Sequence, residues 1–302
     1  MRKEFMQTIS ELASKEKRLI FLTGDLGYNV LEPLREIMKQ RFINAGVAEQ
    51  NMVGVAAGLA SQGLKPICYS INPFLIYRPF EQLKVDVCLH NMDVKFVGSG
   101  AGYIYGNLGA THHSIEDIAV LTTLPNMRCY IPFCNEDCPD VTRQMMRREG
   151  PCYLRLGTWT KPDGLVIPKY NHTRRLLKGE KVTVVGMGQV VNSVFKAVEI
   201  LKKNELVDLF VVSEMPLAEI TKELRESLDK TKRLIVIEEH VARGGLGENL
   251  ARLLLENKIS CGFVHLHAKG YPNGLYGSQK YHYKISGIDE DSVVSAINDI
   301  IK

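Results

Sequence analysis

The sequence contains no apolar stretch near the roughly 18 uninterrupted residues that a membrane span needs. Its first ten residues, Met1 to Ser10, are polar and amphipathic with no signal-like apolar core. Neither a membrane nor an export route is indicated. An excess of one charge is also missing, since 38 Lys and Arg against 34 Asp and Glu leave only +4. The basic residues are scattered, with their densest knots at Arg143 to Arg148 and Arg174 to Lys181, so the basic footprint of a nucleic-acid binder is absent. Low-complexity tracts and internal repeats are missing as well. With Gly and Pro near ordinary usage, disordered, collagenous and coiled-coil chains are excluded. The cysteines number seven, an odd count, and most have apolar neighbours, which fits buried thiols in a reducing cytoplasm better than a disulfide framework. Cys134 and Cys138, with His112 and His113 as the nearest histidines in sequence, lack the paired spacing of a zinc site.

What the chain does have is size and alternation. At 302 residues, 45% of them hydrophobic, it is long enough for two domains with real cores. Short apolar runs alternate with amphipathic segments, the pattern of a parallel sheet covered by helices, so the fold class is α/β with two α/β domains. In the first domain, residues 1–157, strands are predicted at Leu19 to Thr23, Lys65 to Ser70, Val94 to Val97, Arg128 to Ile131 and Cys152 to Leu156. Helices are predicted between them, including Lys3 to Lys15, Ala48 to Gln62 and Asn135 to Arg148. Pro162, Gly164, Pro168 and Asn171 punctuate residues 158–178, which read as a linker. The alternation restarts at Val182 and runs through the second domain, residues 179–302.

Two glycine motifs tempt and fail. Gly186-Met187-Gly188-Gln189-Val190-Val191 follows a strand and opens a helix, yet Val191 stands where a dinucleotide fingerprint needs its third glycine, so a tight strand-to-helix turn is expected. Gly24-Asp25-Leu26-Gly27 with Asn51 faintly resembles a magnesium and diphosphate motif. Leu26 replaces its glycine and Asn51 falls inside a predicted helix, so no metal site is assigned to this chain.

The most informative segment runs from Phe42 through Glu49 to Ala60. Glu49 falls in the first turn of an apolar helix, where a carboxylate can simply stabilise the terminus through the helix dipole. The small residues Gly54, Ala56, Ala57, Gly58 and Ala60 that follow let a backbone or flat ligand approach, and they imply apolar surroundings in which Glu49 could hold a shared proton.

This segment resembles the helix of the transketolase family's pyrimidine-binding domain that carries its glutamate. Asn72 to Gln82 is similar to the family's aromatic stretch, Gly109 to Asp117 to its histidine loop, and Glu238-Glu239-His240, Gly244 to Gly247 and Gly277-Ser278-Gln279 to its C-terminal domain. Nearly the whole chain is covered. The resemblance implies a thiamine-diphosphate-fold pyrimidine domain followed by a transketolase C-terminal-like domain. It implies a subunit of a split transketolase, which transfers a two-carbon ketol unit between sugars with a separate N-terminal subunit that binds diphosphate and Mg2+. It further implies self-association through the pyrimidine domain as α2β2. The alternatives are the beta subunit of a 2-oxo acid or acetoin dehydrogenase, and a non-catalytic scaffold relative.

By the same resemblance, Glu49 would hydrogen-bond N1′ of the cofactor's pyrimidine and exchange a proton there, and Phe74 would stack on the ring, with Tyr77 a second candidate for that wall. His112 would move protons at substrate oxygens, with His113 beside it in the substrate site, while His240 stays outside the catalytic set. Three positions depart from the sugar-phosphate pattern: Gly100 in place of His, Leu108 in place of Asp, and Thr158 in place of a phosphate-binding Arg. Each removes a polar handle on the substrate.

Overall fold

The computed structural model describes residues 1–27 and 30–302. The chain forms two open sheets, each with helices packed against it. The first half is built from α1 (Arg2–Lys15), β1 (Leu19–Thr23), α2 (Glu32–Met38), β2 (Phe42–Asn44), α3 (Glu49–Ser61), β3 (Lys65–Ile71) and α4 (Asn72–Tyr77). It continues with α5 (Phe80–Gln82), which runs into a π-helical segment (Leu83–Leu89), and then β4 (Lys95–Ser99), α6 (Asp117–Thr122), β5 (Arg128–Tyr130), α7 (Cys138–Arg147) and β6 (Cys152–Leu156). The second half holds β7 (Thr173–Leu177), β8 (Val182–Met187), α8 (Val191–Leu201), β9 (Val207–Val212), β10 (Glu214–Met215), α9 (Lys222–Thr231) and β11 (Arg233–Glu238). It ends with α10 (Leu246–Glu256), β12 (Gly262–His267), α11 (Gln279–Ser286) and α12 (Glu290–Ile301). Among the described residues no helix is long and apolar enough to cross a membrane.

The first sheet has the order β10-β5-β6-β4-β3-β1-β2 and is parallel except for β10; the second has the order β12-β11-β8-β9-β7 and is parallel except for β7. Central strands such as β1, β4 and β6 are buried along their whole length, as expected for strands covered on both faces. The register aligns Thr23 with Tyr69 and Ile71 with Ser99. The carboxyl ends of β1, β3 and β4 therefore open onto one crevice, the usual ligand position in an open α/β sheet.

Three strands differ from the sequence reading. Thr173–Leu177, read as part of the linker, is the antiparallel edge strand β7. Its Arg174 is buried against Asp137 through two hydrogen bonds of 2.7 and 2.8 Å, and two adjacent arginines mask the strand pattern in the sequence. The irregular connection is thus residues 157–172. Strand β2 has three partly exposed residues and β10 only two, too short for a periodic signal. The Gly186 turn is as expected: Met187 ends β8, and a Cβ on Gly186 would sit 2.5 Å from Val191 Cγ1. Glycine lets Val191 itself pack on the strand.

Candidate active site

Glu49 is the first residue of α3 and is 1% exposed. Its surroundings are not simply apolar, as the small-residue run implied. Ser70 Oγ, on the adjacent end of β3, donates to Glu49 Oε1 at 3.0 Å, and Arg78 Nη1 donates to Oε2 at 2.8 Å. A carboxylate taken out of water needs such partners, because desolvation penalises an unpaired charge far more than a paired one. Gly24, at the end of β1, faces the same carboxylate. A Cβ there would lie 3.3 Å from Oε1 and 3.2 Å from Ser70 Oγ, so glycine keeps this side of the pocket open.

Phe74 lies on α4, directly after β3, and is only partly buried. It is not a core aromatic. Arg78 follows it by four residues, one helical turn, and the guanidinium carbon lies 3.9 Å from the Phe74 ring centroid. On the other side, His112 meets Phe74 edge-on with centroids 5.1 Å apart, and its Nδ1 lies 2.9 Å from Thr111 Oγ1. Four segments distant in sequence, around residues 24, 49, 70–78 and 112, thus converge on one patch.

The other sequence candidates are placed differently. The Tyr77 hydroxyl donates to Glu116 Oε2 at 3.2 Å, so its polar end is committed to the Glu116 side and not to Glu49. Burial pushes the Glu116 carboxyl above the ordinary range. His113, expected beside the substrate, is buried in the packing between the two halves. Its Nε2 donates to the Gly106 carbonyl at 2.9 Å, which leaves Nδ1 to accept from the Tyr271 hydroxyl at 2.8 Å. Both ring nitrogens are spent, and burial holds this imidazole below its ordinary value. His240 accepts from Ala119 N–H through Nε2 at 3.2 Å and donates from Nδ1 to Val241 O at 2.7 Å, which ties the end of β11 to the first turn of α6.

Gly100 and Thr158 line one cavity of about 350 Å³ together with Arg2, Lys3, Ser99 and Tyr105. A Cβ at Gly100, where φ is +94°, would run into the Tyr105 ring, so that aromatic fills the volume of the missing side chain. Leu108 is exposed in the turn that precedes Gly109. Arg2 and Arg78 were not among the sequence candidates. The spacing of Arg78 four residues beyond Phe74 was the available signal; Arg2 had none, because its position depends on the first residues of the chain lying beside the ends of β4 and β6.

Comparison with known proteins identifies the family of both halves of the chain. The transketolase pyrimidine-binding domain model matches residues 1–158, and the transketolase C-terminal domain model matches residues 171–293. A subunit of the apulose-4-phosphate transketolase of Phocaeicola vulgatus is 30% identical over 315 residues, covering 100% of this chain and 97% of the relative. The subunit of the same name from Actinobacillus succinogenes is 33% identical over 277 residues, covering 87% of this chain and 86% of the relative. A solved split-gene transketolase, described as an inactive beta4 tetramer, superimposes with a TM-score of 0.84 at 26% identity, over 99% of this chain and 97% of that one.

Proposed function

The chain belongs to the transketolase family, and from that premise we propose that it is the pyrimidine-binding subunit of a two-subunit transketolase that transfers a two-carbon ketol unit between sugars. The observation that carries the reading is the convergence of Glu49, Phe74 and His112 on one patch at the carboxyl ends of β1 and β3. The family depends on thiamine diphosphate, and the residues present fit its pyrimidine end: a buried carboxylate, a partly exposed aromatic ring on which a flat cationic group already stacks, and the open side left by Gly24. When bound, the cofactor supplies the carbanion-stabilising chemistry. Glu49 holds and exchanges a proton at N1′, with Ser70 fixing its orientation. Phe74 supports the ring from one face. His112, partly exposed beside Phe74, moves protons at substrate oxygens.

The diphosphate and Mg2+ are assigned to a separate N-terminal-type subunit, since the convergent residues here fit the ring and not the metal. Arg2 and Lys3 beside the cavity at Gly100 and Thr158, where the Glu4 carboxylate is paired with the terminal ammonium at 3.1 Å, favour a substrate with an anionic end, as in the relatives named for apulose 4-phosphate. The seven free thiols, six of them buried, suit the cytoplasm. Resemblance to transketolase subunits favours this reading over a dehydrogenase beta subunit, and an intact Glu49 pocket favours it over a scaffold.

The test is reconstitution with a subunit that carries a diphosphate- and magnesium-binding domain. Ketol transfer, followed by product formation from phosphorylated and unphosphorylated ketoses, is expected only when both subunits, thiamine diphosphate and Mg2+ are present. Full activity of this chain alone, or a stable two-subunit complex inert toward every ketose, would overturn the proposal.

A further inference from the structure

The two residues assigned above to the pyrimidine ring, Glu49 to its edge and Phe74 to its face, are already engaged, and by one side chain. Arg78 donates to Glu49 Oε2 at 2.8 Å while its guanidinium carbon lies 3.9 Å from the centroid of Phe74. A guanidinium is flat, cationic, weakly hydrated and rimmed with N–H donors, and it stacks on aromatic faces. A pyrimidine carrying a proton at N1′ presents the same features to the same partners: an N–H toward a carboxylate and a flat face toward a benzene ring. We propose that Arg78 is a placeholder for the cofactor's pyrimidine, a positioning residue that caps the site before loading and leaves it on binding. This inference rests on the reading of Glu49 and Phe74 as the pyrimidine's partners.

Burial explains why a placeholder is needed. Glu49 is 1% exposed and Arg78 is 38% exposed, so the carboxylate cannot turn to water when the site is empty, but the guanidinium can. Arg78 sits just past the end of α4 on a long, flexible side chain, and its release exposes a charge that water readily solvates. Ser70 stays on Oε1 throughout. Only Oε2 changes hands, and the carboxylate keeps its orientation as one flat donor replaces another.

The consequence is competition. The apparent affinity for the cofactor is reduced by the fraction of molecules in which Arg78 is in place, so removing a cap present in about nine molecules of ten tightens binding about tenfold. The experiment is titration of thiamine diphosphate, with Mg2+ present, into the chain assembled with its partner subunit, read by calorimetry for wild type, Arg78→Ala and Arg78→Lys. Thermal unfolding confirms that each variant is folded. Arg78→Ala is expected to bind more tightly than wild type. Arg78→Lys, which keeps a charge for Glu49 but loses the flat stack, is expected to fall between them. A crystal structure of the loaded complex is expected to show Arg78 away from Glu49. Unchanged or weaker binding in Arg78→Ala, or an Arg78 to Glu49 hydrogen bond that persists in the loaded complex, overturns the placeholder while leaving the pyrimidine assignment standing. Failure of the wild-type assembly itself to bind the cofactor overturns both.

Discussion

At the scale of single residues, Glu49 carries the decisive contrast between a helix-start carboxylate and a proton-exchanging group. Its ion pair with Arg78 is partly open to solvent, since that guanidinium is more than a third exposed, and screening keeps its worth to folding small. Replacing Glu49 by Gln preserves volume and an acceptor for Ser70 but removes the acid. The unfolding free energy is expected to change by about 1 kcal/mol or less, while turnover falls about 10² to 10⁴-fold, the usual scale for a positioned acid or base. Hydrogen–deuterium exchange at C2 of the bound cofactor in the two-subunit enzyme, measured beside thermal unfolding, separates the roles; unchanged exchange in Glu49→Gln would remove Glu49 from the chemistry. The neighbouring histidines show what the sequence could and could not say at this scale. Both stand in one glycine-flanked loop, yet His112 meets Phe74 whereas His113 is locked between Gly106 and Tyr271. His112 closes a turn back to the Gly109 carbonyl whereas His113 leads into the bridge between Ser114 and Gly102, and which of them faces the crevice is set by what packs against the loop.

At the scale of elements, the histidine loop is held by the second half of the chain. Tyr103 stacks on His282 with centroids 4.4 Å apart, and His113 stacks on Tyr271 at 5.4 Å. His282 Nε2 accepts from Gly277 N–H at 3.3 Å, so α11 and the turn before it clamp the loop that presents His112. Burial holds both His113 and His282 below their ordinary value of 6.5. As pH falls through 6.5, the unfolded chain takes up protons that the folded cluster refuses. The unfolded state then binds more protons, and stability is lost on acidification until the lowered folded values are reached. The midpoint of thermal unfolding is therefore expected to drop between about pH 7.5 and about pH 5.5. The drop should be shallower in His282→Gln, which keeps an acceptor for Gly277 without a titrating ring. Identical slopes in calorimetric scans of the two proteins would exclude this cluster as the source. Sequence periodicity located α1 and α3 to within a residue or two because each has one continuous buried face, and β1 because it is an unbroken apolar run buried on both faces. It missed α2, a seven-residue helix with only Leu34 and Met38 buried, too short to set up a periodic signal.

At the scale of the whole molecule, the two sheets do not form independent units. Strand β10, from the second half, adds to the edge of the first sheet beside β5. Arg155 on β6 bonds Asp117 through Nε at 2.8 Å and reaches the Glu239 carbonyl at 3.0 Å. The Glu239 carboxylate in turn accepts from Tyr103 N–H, Gln189 and Gln279, and burial raises it above the usual carboxylate range. One apolar cluster also runs from Met52 and Phe96 through Ile131 to Phe210 and Met215. The opposite side, around α3 and the π-helical segment, is left uncovered. Val47, Val55 and Leu89 are 71%, 42% and 65% exposed, and a Cβ at Gly54 or Gly58 would meet nothing within 4 Å. Exposed apolar and small residues at the start of α3, beside exposed Gln50 and Asn51, suit a twofold contact between copies of the chain. Self-association is thus expected in sedimentation velocity, and Val55→Glu is expected to shift the population toward smaller species; a wild-type chain that stays monomeric at about 10 μM, a concentration at which a standard-sized interface should hold, would count against this face.

Local pattern alone determined the α/β class, the position of most strands, and the placing of Glu49 at the head of a helix and Phe74 just after a strand. These follow from periodicity and from residues adjacent in the chain, where propensity and burial act over one or two turns. Tertiary structure decided what depends on distant partners. Strand β7 exists because Asp137 neutralises Arg174 from 37 residues away, and β10 because the edge of β5 was open to it. Arg2 reaches the cavity at Gly100 and Thr158 only because the first residues of the chain lie beside Ser99 and Leu156, at the ends of β4 and β6. Arg78 covers Phe74 through its helical spacing, but it finds Glu49 only because the start of α3, entered from β2, and the helix after β3 meet at one crevice on the same edge of strand ends. A charged side chain leaves no mark in the sequence to show whether its counter-ion is water or a buried group, since desolvation and pairing are settled only once the chain has closed on itself.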